Sequence, residues 1–198
     1  MTVPMDDAPL LRDACVQSLL DHAANRRRAD TVTFARLIGA KLASGELAHL
    51  GVPRDTLGAL AARHFPDAAR TGALPLEAFP EHAAATQHQR FVDDLRKLLL
   101  RHERPPITNA IDAWCLATII ASACLRPDHL WRDLGLDGRD DVSAILTRHY
   151  PVLVARNVDE LRWKRFLAQQ VALDKGRTPG PAPGCPGCED FGFCFPKA

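Results

Sequence analysis

Apolar residues recur every three or four positions along most of this chain, and no period-two alternation persists, so the pattern predicts helices and no strands. A first helix carries Leu11, Ala14, Cys15 and Leu19 behind the acidic start Asp6-Asp7 and runs toward Arg26-Arg27-Arg28. A second carries Phe34, Leu37, Ile38 and Leu42, with Asp30 and Thr31 as caps and Gly45 as its stop. Pro53 opens a third, which holds Leu57, Leu60, Ala61 and Phe65. Between Pro66 and Pro80 the residues turn small and irregular, with Gly72, Pro75 and Phe79-Pro80, and predict the longest internal loop.

Phe91, Leu95, Leu98 and Leu99 define a fourth helix, stopped by Pro105 and Pro106, which cannot continue the hydrogen-bond ladder. Thr108 or Asn109 caps a fifth, whose Ile111, Trp114, Cys115, Ile119, Ile120 and Cys124 cover nearly its whole circumference and place it at the centre. A short connecting segment holds His129-Leu130-Trp131 and Leu134-Gly135-Leu136. Asp140 or Asp141 then starts a sixth helix with Val142, Ile145, Leu146 and His149, broken at Tyr150-Pro151. The seventh runs from the cap Asn157 through Leu161, Trp163, Phe166, Leu167 and Val171 to Gly176. The expectation is an all-α fold: a single helical domain of about seven helices over residues 1–176. An irregular tail follows over 177–198, in which the Pro/Gly stretch Arg177 to Gly184 is a linker.

Composition narrows the function classes. With 198 residues the chain can bury one sizeable core, and its 25 Lys and Arg against 24 Asp and Glu leave a net charge of +1. That balance gives no broad electrostatic reason to expect nucleic acid or a membrane surface. The first twenty residues keep Asp6, Asp7, Arg12 and Asp13 among their apolar positions, unlike a signal peptide, and the apolar run Ala113 to Leu125 is too short to span a bilayer. A cytoplasmic protein is expected. There is no Ser-His-Asp constellation, phosphate-binding loop or HExxH helix, so a classical enzyme is not expected either.

The six cysteines change the picture, because in a reducing compartment clustered thiols more often bind metal than form disulfides. Cys185-Pro-Gly-Cys188 is followed by Glu189-Asp-Phe-Gly-Phe and then Cys194. Two intervening residues let the first two sulfurs converge, the five-residue return brings in the third, and Gly187 and Gly192 supply backbone freedom. Spacing alone leaves open an iron-sulfur site, a structural zinc site, a redox CxxC pair and a tail with spare thiols. Zinc is the strongest rival and needs a fourth ligand, from Cys115, Cys124 or a histidine. Redox exchange carries little weight without a βαβ setting.

These residues resemble the NifQ family. The resemblance runs through Ala123-Cys124, His129-Leu-Trp-Arg-Asp-Leu-Gly-Leu136, Asn157, Arg162-Trp-Lys-Arg-Phe166, and the closing Cys185-Pro-Gly-Cys188 and Cys194-Phe195, roughly the C-terminal half. The family's tail carries four cysteines, and the position of the first falls here on Gly180. The resemblance implies a metal carrier that binds a molybdenum-iron-sulfur cluster through Cys185, Cys188 and Cys194. It would donate molybdenum to assembly of the nitrogenase iron-molybdenum cofactor in nitrogen fixation, with molybdate among the implied partners. The implied partners are the assembly scaffold and the nitrogenase reductase component. Two other readings stand beside it: a helical interaction module whose tail is clamped by zinc, and a variant with impaired cluster binding.

Cys124 and His129, flanking Arg126-Pro127-Asp128, are possible extra ligands if the tail folds back, although core packing accounts for them as well. Cys15 and Cys115 sit on apolar faces and are expected to be inert. Arg162, Lys164, Arg165, Lys175 and Arg177 can draw molybdate or an acidic partner toward the cysteines, or simply form a solvated face.

Overall fold

The seven amphipathic stretches become seven helices of eleven to fifteen residues: α1 Ala8–Asp21, α2 Ala29–Ala43, α3 Arg54–His64, α4 Gln89–Arg101, α5 Ala110–Ala123, α7 Arg139–His149 and α9 Trp163–Asp174. Two single turns of helix lie between them, α6 Leu130–Asp133 and α8 Pro151–Val154, and a third, α10 Phe191–Cys194, lies in the tail. The computed structural model describes residues 8–78, 81, 87–104 and 109–196, and no strand occurs among them. No helix among these residues is long and apolar enough to cross a membrane. Backbone contacts divide the chain into two compact units, residues 1–84 and 85–198.

In the first unit α1 packs along α2. Gly39 permits the close crossing, since a methyl group there would lie 2.8 Å from a Val16 side-chain carbon and 2.9 Å from the Val16 nitrogen. Leu19, Phe34, Leu37, Ile38, Leu57, Leu60, Phe65 and Leu74 form the core. Within it the buried His64 Nδ1 is hydrogen-bonded to Thr31 Oγ1 at 2.8 Å. Leu74 and Ala68 are fully buried, so the irregular segment after Pro66 is docked by its own apolar residues.

In the second unit α4 packs on α5 and α9, and Leu95, Leu99, Leu116, Ile120, Leu146, Phe166 and Val171 fill the space between helices. α5 is central, as its all-round apolar pattern predicts, except that Trp114 is half-buried beneath the Arg96 guanidinium, 5.0 Å from the ring centroid.

Helix ends differ from expectation where tertiary contacts decide them. Asn109 does cap α5, accepting from the Ile111 amide at 2.8 Å and the Asp112 amide at 3.4 Å. Asn157 caps no helix: it staples its own loop, donating to the Leu161 carbonyl at 3.0 Å and accepting from the Leu161 amide at 2.9 Å. α9 therefore starts six residues later than Asn157, with Arg162 at its cap position. At α2 Arg28 occupies the cap position without a side-chain cap bond, and Asp30 and Thr31 lie buried in the first turn. α7 starts after Gly138. Gly45 and Gly176, at φ +69° and +62°, end their helices as predicted, in the left-handed conformation that suits glycine. The readings placed on Asp6, Asp7, Phe79, Pro80, Pro105, Pro106 and Thr108 lie outside the described residues.

Candidate metal centre

The cysteine tail is seated on the segment that leaves α5. The Gly184 amide donates to the Cys124 carbonyl at 3.1 Å, while Ala182, Cys185 and Cys194 are buried. Two glycines allow this contact. A methyl group at Gly184 would stand 1.9 Å from the Arg126 carbonyl oxygen, and one at Gly187 would stand 2.5 Å from Pro127 Cβ. Neither position needs a left-handed backbone, so what glycine supplies is space.

Beneath the seat lies Lys164. Its ammonium is buried and donates to the carbonyls of Arg126, at 2.7 Å, and Asp128, and to the Asp133 carboxylate. One cation thus ties three points of the segment after α5 to α9 and neutralises Asp133, whose side chain is only 10% exposed, the paired arrangement that a buried ammonium requires.

The result is a cavity of about 740 Å³, within the range of small-ligand sites, whose wall contains Cys185, Cys188 and Cys194. Burial raises the thiol pKa of Cys185, and the neighbouring Cys188 and Cys194 add to the rise while Lys164 opposes it. Burial also raises Cys194, against the pull of Arg162 and Arg165. All three thiols line this one cavity, and the charge of each thiolate would act on the others.

Glu189 and Asp190, inside the Cys188-to-Cys194 return, pin that loop. Asp190 Oδ2 takes Arg162 Nη2 at 2.7 Å, Arg139 at 3.4 Å and His129 Nε2 at 3.6 Å. Glu189 Oε1 takes Arg132 at 3.0 Å and His129 at 3.2 Å. Asp128, His129 and Glu189 form a trio of candidate ligand atoms within 4.8 Å of one another, but Arg132 already bonds both carboxylates, at 3.2 and 3.0 Å.

In the same lining α9 starts with no side-chain cap and no acid in its first turn, so its amide dipoles add positive potential beside Arg162 and Arg165. Arg162 Nε and Nη1 are buried and have no hydrogen-bond partner among the described residues. The apolar part of the lining includes Trp131, Phe191, Phe193 and Phe195. Soft sulfur donors sharing a cavity with cationic side chains form a donor set that fits an anionic iron-sulfur core.

Comparison with known proteins places the same residues in a family. The NifQ family model matches residues 16–196. The chain belongs to the NifQ family. It is 32% identical to Protein NifQ of Azotobacter vinelandii over 153 residues, 74% of this chain and 77% of that relative. It is 40% identical to the Protein NifQ homolog of Sinorhizobium fredii over 101 residues, 51% of this chain but 43% of that relative. It is 34% identical to Protein NifQ of Rhodobacter capsulatus over 84 residues, 42% of this chain and 47% of that relative. No solved structure matches it.

In this NifQ-family chain the three tail cysteines share one cavity, and His129 joins them at its edge, turned toward Glu189 and Asp190. Cys124 is fully buried. Its thiol is pushed up to about 12, mainly by burial, with the charges of Lys164, Cys185 and Asp133 also acting on it. A methyl group at Gly180 would meet nothing within 4 Å, so its lack of a side chain is not a packing requirement. Cys115 is buried in the core, and Cys15 is half-buried on α1. The five basic residues separate: Arg162, Lys164 and Arg165 line the cavity, Lys164 with its ammonium spent on Arg126, Asp128 and Asp133, while Lys175 and Arg177 pair with Asp94 on α4 at 3.1 and 3.2 Å. Sequence reasoning passed over Gly184, Glu189, Asp190 and Arg139. The signal available for the acidic pair was two charges inside an otherwise apolar, glycine-bearing loop.

Proposed function

We propose that this NifQ-family chain is a cytoplasmic carrier that holds molybdenum in a molybdenum-iron-sulfur cluster and donates it to assembly of the nitrogenase iron-molybdenum cofactor. The observation that carries this reading is the one cavity that Cys185, Cys188 and Cys194 share with the basic start of α9. A bound iron-sulfur core supplies sulfide to a metal that thiolates bind poorly while it is a hard oxyanion. The chain's own part is to present three thiolates, to offset negative charge with Arg162 and Arg165, and to limit water with its aromatic rim.

Because Gly180 stands where the family has a cysteine, three thiolates leave one position of a cuboidal core to oxygen or exogenous ligands, which suits release of the cargo. The partners proposed to receive it are the assembly scaffold and the nitrogenase reductase component, with docking and ligand exchange in place of enzymatic turnover.

Anaerobic purification followed by elemental analysis for Mo, Fe and Zn tests the reading, with Cys188→Ser alongside. A brown protein that contains iron and molybdenum, both lost in Cys188→Ser, is expected. Stoichiometric zinc without iron overturns it in favour of a zinc-clamped interaction module. A chain that takes up none of these metals points instead to impaired cluster binding.

A further inference from the structure

Arg162 stands out among the charged residues of the second unit. Its Nη2 is held by Asp190 at 2.7 Å, while Nε and Nη1 are removed from solvent with no acceptor among the described residues. A guanidinium is always charged and is weakly hydrated for a cation, and donors removed from solvent without an acceptor call for an anion. The neighbouring cations do not share this condition. Lys164 is spent on two carbonyls and Asp133, Arg139 is half exposed and turned to Asp190, and Arg165 lies against the Phe195 ring at 5.2 Å.

We propose that Arg162 is the residue that binds a divalent metal oxyanion, of which molybdate is the test case, inside the cysteine-lined cavity. This deepens the carrier reading above, and it concerns the uptake step alone: an ionic, hydrogen-bonded association in which no covalent bond forms or breaks. Three observations converge on Arg162. It lines the same cavity as the three cysteines. Its charge, with that of Arg165, acts on the Cys194 sulfur, so an anion held there sits beside the thiol wall. Its guanidinium lies 5.2 Å from the ring centroid of Phe193, which is itself 75% exposed, and the Arg162 side chain is 27% exposed, so the group is within reach of solvent. The uncapped start of α9 reinforces the same polarity, since Arg162 occupies its cap position.

The test is equilibrium binding of radiolabelled molybdate to the full-length protein freed of iron by chelation. Saturable binding is expected, displaced by excess sulfate and weakened at least tenfold in Arg162→Gln. Arg162→Lys, which keeps the charge but loses the planar donors, should restore part of it. Lys175→Gln, whose ion pair lies on α4, should leave binding unchanged. Asp190→Asn separates ligand binding from loop scaffolding: it breaks the same ion pair while leaving Arg162 in place, and it should retain binding or tighten it. Equal binding in wild type and Arg162→Gln, or equal loss in Arg162→Gln and Asp190→Asn, overturns the proposal, as does the absence of saturable binding to wild type. Cys188→Ser keeps the two readings apart, because it should lose iron yet still bind molybdate. Failure of the iron analysis with Arg162-dependent binding intact would sink the carrier reading alone.

Discussion

Gly184→Ala adds one methyl group to the chain and places it 1.9 Å from the Arg126 carbonyl oxygen, 2.6 Å from its carbon and 2.8 Å from the Arg126 nitrogen. All three neighbours are backbone, so no side-chain rotation relieves the clash. Reaching even 3.0 Å from that oxygen requires the tail and the segment after α5 to separate by about 1.1 Å, the difference between 3.0 and 1.9. Such a shift stretches the 3.1 Å bond from the Gly184 amide to the Cys124 carbonyl beyond hydrogen-bonding distance. Overpacking costs about 1–3 kcal/mol and the lost hydrogen bond about 1 kcal/mol more. The sum, about 2–4 kcal/mol, corresponds to a fall of roughly 4–16 °C in Tm for a chain of this length. Because Cys185 follows directly, the variant should also lose most of its iron after anaerobic reconstitution while its far-ultraviolet helical signal persists. Gly180→Ala is the matched control, since a methyl group there meets nothing within 4 Å, and it should leave both Tm and iron content near wild type. Wild-type iron content and Tm in Gly184→Ala would refute the claim that this contact seats the cysteines.

Lys164→Met leaves the mostly buried Asp133 carboxylate without its cation, and a stability loss of about 3–5 kcal/mol is expected in urea melts; Lys175→Met, an exposed pair, should shift by less than about 1 kcal/mol, and similar losses would remove Lys164 as the brace. Gly180→Cys adds a fourth thiol to the tail at a sterically open position and should raise iron retained per chain on gel filtration, an idea undone by unchanged retention. Burial, aided by Asp112, pushes the Cys115 thiol from 9.0 to about 12. The folded chain therefore keeps a proton that the unfolded chain releases above pH 9, and stability falls as pH rises from 9 toward 12. Cys115→Ala removes that contribution, so its stability should decline less steeply between those limits in denaturant titrations at stepped pH; parallel declines would contradict the assignment.

The seven long helices were legible because each repeats its apolar residues at helical spacing, a local property that packing only had to accept. Ends were less so. Asn157 has the chemistry of a cap, yet its side chain reaches the Leu161 backbone and closes a loop, an outcome decided by where α9 is held. In the tail Gly187 was misread and Gly184 passed over for a related reason. Backbone freedom is the property visible in sequence, whereas Gly184 and Gly187 are small because Arg126 and Pro127, some sixty positions earlier, press on them.

The sequence by itself determined the helical class, the apolar faces and the chemistry of the donors, since periodicity and side-chain type are carried by neighbouring residues. Tertiary structure decided which groups meet. It set the cysteine tail against the end of α5, buried Lys164 beneath it, turned Lys175 and Arg177 to Asp94, and left Arg162 in the cavity of the thiols with two unserved donors. Such pairings depend on distances between segments far apart in the chain, which no local pattern encodes. The same five positive charges therefore acquire different roles only when the fold assigns their partners.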